Sequence, residues 1–127
     1  MMKKIIYTPN APNPVGPYSQ AVQLGSTLYV SGQIAINPES GDLVNDSIEA
    51  ETRQVMSNLK AILEAAGSSF SQVVKCEVFV SDMENYGRIN KIYAEFFEEA
   101  TAPARALVEV ANLPKYVNVE ISAIAQV

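Results

Sequence analysis

The side chains best suited to chemistry lie near the end of this chain. Residues 103–121 read Pro-Ala-Arg-Ala-Leu-Val-Glu-Val-Ala-Asn-Leu-Pro-Lys-Tyr-Val-Asn-Val-Glu-Ile. The pattern predicts two strands joined by a tight, proline-containing loop at residues 112–116, with Arg105 opening one strand and Glu120 inside the other. Strand interiors exclude such groups unless each has a partner or a task. A planar guanidinium binds a carboxylate through two parallel hydrogen bonds, which makes Arg105 a candidate clamp. The alternative is a structural ion pair with Glu109 or Glu120. Glu120 in a pocket would orient water or move a proton. Its alternation with Asn118 and Ser122 also allows it to face solvent. Arg105 and Glu120 are taken as the working pair, and the loop between them leaves open whether they share a face.

Composition limits the chemistry further. The chain has 127 residues, fitting one domain over 1–127, and 48% of them are hydrophobic, enough for a core. It contains no histidine and one cysteine, Cys76. That removes His-based nucleophile arrangements, His-ligated metals, Cys-based zinc sites and internal disulfides. Net charge is −5 without a run of Lys or Arg, so no nucleic-acid or anionic-membrane surface is expected. The apolar run after Lys3-Lys4 is too short for a signal sequence, and no stretch approaches a membrane span. A soluble, cytoplasmic protein is expected. No phosphate loop, metal-carboxylate spacing or cofactor lysine is found.

The elements that must position these residues follow from pattern. Ile5 to Tyr7 forms a short edge strand, and four prolines make residues 8–17 an extended loop. Strands at 18–24 and 27–36 flank Gly25-Ser26, a two-residue hairpin turn. Its register opposes Leu24 to Thr27, Val22 to Tyr29 and Gln20 to Ser31, placing Tyr18, Gln20, Tyr29, Ser31 and Gln33 on one face. A helix is predicted over 46–67, with Asp46 or Ser47 as cap, a box-like Asp46-x-x-Glu49, and Gly67 at its end. An apolar strand follows at 73–80. A second helix opens at Ser81-Asp82 with a Ser81-x-x-Glu84 box, carries a stripe of Tyr86, Ile89, Tyr93, Phe96 and Phe97, and stops before Pro103. Two amphipathic helices cover one sheet face, leaving the other apolar enough to meet a second copy. Tyr18, Ser31 and Asn90 each have plain alternatives as packed aromatic, strand hydroxyl and solvated helix residue; Cys76 reads as a small core residue.

Several blocks together resemble the RidA/YjgF family of enamine and imine deaminases. They are Gly16-Pro17-Tyr18-Ser19-Gln20, Ser31-Gly32-Gln33-Ile34, Asn58-Leu59-Lys60-Ala61-Ile62, Val78-Phe79-Val80, Asn90-Lys91-Ile92-Tyr93, Pro103-Ala104-Arg105, Val108-Glu109-Val110, Leu113-Pro114-Lys115 and Val119-Glu120-Ile121. The resemblance spans almost the whole chain. It implies an α+β, chorismate-mutase-like fold, with a mixed sheet, two helices on one face and a homotrimer whose sheets meet. It implies cofactor-free hydrolysis of imine and enamine acids released by pyridoxal-phosphate dehydratases, such as 2-aminoacrylate, to 2-keto acids and ammonia, in clefts between subunits.

By matching position, the resemblance assigns Arg105 and the Leu107 amide to the substrate carboxylate, Glu120 to the water, and Tyr18, Ser31 and Asn90 to the cleft lining. The chain departs from the family at Ala106-Leu107, where Ser-Cys is frequent, and at Asn112, often Arg or Gly. The backbone contact survives the first change, while any role for the thiol is lost. The rival readings are a non-catalytic keto-acid or amino-acid sensor using the same pocket, and RNA binding or cleavage, against which the acidic balance and missing histidine count.

Overall fold

The computed structural model describes residues 2–127. Its strands are β1 (Lys4–Ile6), β2 (Ala21–Leu24), β3 (Thr27–Gln33), β4 (Val73–Val80), β5 (Ala104–Glu109) and β6 (Val119–Gln126). Its helices are α1 (Ile48–Ala65) and α2 (Tyr86–Tyr93). The strands form one sheet in the order β1-β2-β3-β6-β4-β5. Only β4 and β5 run parallel, so the sheet is mixed and the fold is α+β, as expected. Leu28, Val30, Val78, Val80, Ile121 and Ala123 pack with α1 residues Val55, Met56, Leu59, Ile62 and Leu63 in one core.

The β2–β3 hairpin has the expected register, with Leu24 opposite Thr27 and Val22 opposite Tyr29. The Ser31 amide donates to the Gln20 carbonyl, extending that register by one pair. Gly25, at φ 63°, supplies the left-handed position that a two-residue turn demands.

One part of the expected face assignment fails. Between Val30 and Gln33 the β3–β6 register slips, because Ser31 and Gly32 together oppose one position of β6. This β-bulge reverses the alternation. Gln33 pairs with buried Ile121 and joins the helix-covered side, leaving the face of Tyr29.

The C-terminal pair of strands is also not a hairpin. β4 lies between β5 and β6. Val73, Cys76, Val78 and Val80 of β4 are buried, and such a strand needs a neighbour on each side. β5 is exposed at most positions, as befits an edge. Residues 110–118 therefore pass across the end of β4 instead of making a tight turn.

The helices are shorter than pattern predicted. Ser47 alone caps α1, its hydroxyl accepting from the Ala50 amide, and Glu49 turns to Arg88 instead of closing a capping box. At the other end Gly67, at φ 78°, donates to the Glu64 carbonyl while Ser68 donates to Leu63, the paired bonds of a Schellman stop. Before α2, Asp82 caps a single 3-10 turn over Met83–Asn85, while the Ser81 hydroxyl donates to Asn118. Phe96 and Phe97 lie beyond α2 and pack against Phe70, the first tilted and the second edge-on, which gives their apolar character a use outside the helix. Among the described residues no helix is long and apolar enough to cross a membrane.

Candidate active site

Arg105 stands on the helix side of the edge strand. The parallel register sets it beside Cys76 and sets Leu107 beside Val78, both buried positions of β4. From there its guanidinium reaches α2. Nη1 donates to Asn90 Oδ1 at 2.7 Å and Nη2 donates to the Tyr86 hydroxyl at 3.1 Å. Its central carbon lies 4.9 Å from the Tyr93 ring centre and 5.8 Å from that of Tyr86, within cation–π range. Among the described residues no carboxylate pairs with it. The structural ion pair with Glu109 or Glu120 is therefore not formed; Glu109 accepts instead from the Met83 amide. A cavity of about 790 Å³ opens beside the guanidinium, bounded by Asn90, Tyr93, Phe97 and Pro103. Leu107 is half-buried against the core, so only its backbone is suited to a polar contact.

Glu120 lies on the opposite, uncovered side of the sheet. It pairs with Phe79, and its neighbours Val119 and Ile121 take the buried side. It is half-buried, and burial raises its carboxyl pKa above the usual glutamate value. It lines a second cavity, of about 470 Å³, with Tyr18, Gln20, Ser31, Gly32 and Lys115. The β3 bulge aims Ser31 and Gly32 into this space. The Glu120 carboxylate occupies the room that a Cβ at Gly32 would need.

Other contacts hold this wall. The Tyr18 hydroxyl accepts from the Val15 amide, and the Ser31 hydroxyl donates to the Ser19 carbonyl. Buried Gln20 ties the proline-rich loop down through Thr8, Ala11 and Pro12. Buried Glu51 of α1 accepts from the backbone and side-chain amides of Asn118 and the Val119 amide, fixing the start of β6 just before Glu120.

The predicted residues thus fall into two groups. Arg105, Asn90 and Leu107 belong to the α2–β5 edge, while Tyr18, Ser31 and Glu120 belong to the bulged end of the open face. Within one chain the two groups point to different sides of the sheet. The open question about Arg105 and Glu120 is answered: they do not share a face.

Sequence reasoning missed Tyr86 and Tyr93 as partners of Arg105. The apolar pattern places both in the core stripe, yet Tyr86, Asn90 and Tyr93 stand at i, i+4 and i+7, one helix face. It also missed Gly32, whose place in a strand next to a serine was the available signal. Lys115 and Tyr116 both take φ 55°, an uncommon conformation for residues with side chains, and Lys115 lines the Glu120 cavity. Among the described residues no cluster of His, Cys, Asp and Glu is arranged to hold a metal.

Residues 8–127 match the family described as Endoribonuclease L-PSP. A RutC family protein of Pyrococcus horikoshii is 52% identical over 124 residues, covering 98% of each chain. The 2-iminobutanoate/2-iminopropanoate deaminase of Escherichia coli K12 is 49% identical over 126 residues, also covering 98% of each. The solved structure of E. coli TdcF with bound serine superposes with a TM-score of 0.91 at 43% identity, over 98% of both chains. A match over nearly all of the chain, with relatives near half identity, establishes that it belongs to the RidA/YjgF family, also described as Endoribonuclease L-PSP.

Proposed function

We propose that this protein is an imine deaminase that hydrolyses 2-imino acids and their enamine tautomers, such as 2-aminoacrylate, to 2-keto acids and ammonia. The observation that carries this reading is Arg105: a guanidinium beside a cavity, held by neutral groups and paired with no carboxylate among the described residues. Such a group binds a carboxylate ligand with its whole charge. The naming of the E. coli relative as a deaminase of this kind supports the same substrate class.

The reaction asks little of the protein. Water adds to the C=N carbon, the carbinolamine collapses, and ammonia leaves as the carbonyl forms. Arg105 and the Leu107 amide hold the carboxylate. Glu120 takes a proton from the attacking water and returns it to the departing nitrogen, for which a carboxyl with a raised pKa is suited. Tyr18, Ser31 and Asn90 line the cleft. Orientation and proton transfer are sufficient, and the mechanism uses no cofactor.

Because Arg105 and Glu120 lie on different sides of one chain, the complete cleft forms between copies. The Arg105 edge of one subunit meets the Glu120 cavity of the next, in a chorismate-mutase-like homotrimer. A row of apolar residues across the open face supports self-association: Ile5, Val22, Tyr29 and Ile124 are consecutive register partners on four strands. The site lies in a cytoplasmic protein with no nucleic-acid or membrane partner, in keeping with the net charge of −5.

The test is a coupled assay. A serine or threonine dehydratase generates the enamine, semicarbazide traps what survives, and the protein is added with Arg105 intact or replaced by alanine. Less trapped product with the intact protein alone is expected. Equal activity of Arg105→Ala, still correctly assembled, refutes the anchor. A second reading, a sensor of amino or keto acids, is favoured by the serine held by TdcF and by the bulk of Leu107. It predicts tight keto-acid binding without turnover.

A further inference from the structure

The two hydrogen bonds that fix Arg105 share a property that a structural role alone does not require. Asn90 Oδ1 and the Tyr86 hydroxyl are both neutral acceptors. The other close partners, the faces of Tyr93 and Tyr86, are neutral as well. The surface nearby is not short of carboxylates. Glu49 pairs with Arg88 two residues before Asn90, Glu95 pairs with Arg53, and Glu99 borders the same cavity as Arg105. The other two arginines on or facing this helix layer are each neutralised by a glutamate, while Arg105 is not.

We propose that Tyr86 and Asn90 are positioning residues whose neutrality is functional: they lock the Arg105 guanidinium in place while leaving its charge uncompensated for a monoanionic 2-oxo or 2-imino carboxylate. Tyr86 and Asn90 each take one N–H of a different terminal nitrogen, which stops the guanidinium plane from rotating. One N–H on each terminal nitrogen and the N–H at Nε remain for a ligand. A carboxylate at position 90 would fix the plane equally well, but would occupy the charge that the ligand needs. The inference rests on the reading of Arg105 as a carboxylate anchor and goes beyond it, by assigning the anchor's preparation to an uncharged cradle.

The test compares binding of 2-oxobutanoate, by calorimetry, to the assembled wild-type protein and to Asn90→Ala, Asn90→Asp, Tyr86→Phe and Arg105→Ala. Asn90→Asp keeps an acceptor and adds a charge. It is expected to bind about tenfold or more weakly than Asn90→Ala, the scale of one charge–charge contact near a surface. Tyr86→Phe keeps the ring and loses the hydroxyl. It is expected to weaken binding severalfold and to merge the separate Nη proton signals of Arg105 in nuclear magnetic resonance spectra, which a packing role would leave unmoved. Asn90→Asp binding as well as wild type, or better than Asn90→Ala, overturns the neutral cradle, as do unchanged binding and Nη signals in Tyr86→Phe. If these variants bind normally while Arg105→Ala does not, the cradle fails and the anchor stands. If Arg105→Ala binds like wild type, the anchor itself fails.

Discussion

Gly32 and Glu120 are in direct apposition: a Cβ added to Gly32 would lie 2.6 Å from Glu120 Oε2 and 2.8 Å from its Cδ. The β3 bulge brings the glycine to this position, so the carboxylate rests on bare backbone. Gly32→Ala must push the Glu120 side chain aside. That side chain is flexible and half-exposed, so the stability cost is small, about 1 kcal/mol. The catalytic cost is larger, since displacement of a reacting group by about 1 Å can cost roughly a hundredfold in rate. Turnover and thermal unfolding of Gly32→Ala are the measurements. Wild-type turnover would show that the carboxylate position does not matter.

The raised pKa of Glu120 gives a second expectation, with a definite sign. Its carboxyl is more easily protonated in the folded protein than in the unfolded chain, because burial disfavours the charge. The folded state then binds more protons than the unfolded state between the ordinary glutamate value and the raised one. Stability from this group is fully present below the ordinary value and falls as pH rises through the raised one. Glu120→Gln removes that loss, so its stability relative to wild type should improve on going from acid to neutral pH. Deaminase activity of the wild type should move oppositely, rising as pH passes through the raised value, while Glu120→Gln, which has no carboxylate to take the proton, should be inactive at every pH. Parallel urea titrations at acid and neutral pH check the first part. A constant stability difference between the two proteins would contradict it.

Local rules carried the sequence reading of the Gly25-Ser26 hairpin, the Gly67 helix stop and the buried Cys76, because each depends on neighbours in the chain. What was not legible depended on long-range competition. Placing β4 between β5 and β6 follows from the demand of a buried strand for two partners, which no turn signal encodes. The bulge at Ser31-Gly32 adds one residue to a pattern with period two, and so sends Gln33 to the other face. Glu49 was available for a capping box but found Arg88, which lies 39 positions away. Its carboxyl is lowered to about 2, first by the hydrogen bond from Arg88. The candidate residues were identifiable by type and resemblance. Their division between two sides of the sheet required coordinates.

Glu51 should matter for both stability and the site. It is fully buried and accepts three hydrogen bonds from Asn118 and Val119. Glu51→Ala would leave those donors without partners at the start of β6, costing about 3 kcal/mol or more. Because Glu120 follows immediately, turnover should also fall under conditions where the variant remains folded. Chemical denaturation and the coupled assay check the two effects. A midpoint unchanged from wild type would mean that water replaces the carboxylate at no cost.

The separation of Arg105 from Glu120 yields the sharpest expectation for the shared cleft. Arg105→Ala and Glu120→Ala homo-oligomers should each be inactive. If a cleft takes its arginine from one subunit and its glutamate from the next, mixed assemblies recover some complete clefts. In random equal mixing, each required side is intact with a chance of one half, so about a quarter of the clefts are whole. Unfolding and refolding the two variants together should therefore restore roughly that fraction of wild-type activity, while mixing them without subunit exchange should restore none. If both groups served the same cleft from one subunit, no combination of these chains would contain an intact pair. Recovery after exchange supports the shared cleft, whereas a persistently inactive mixture with proven subunit exchange rules it out.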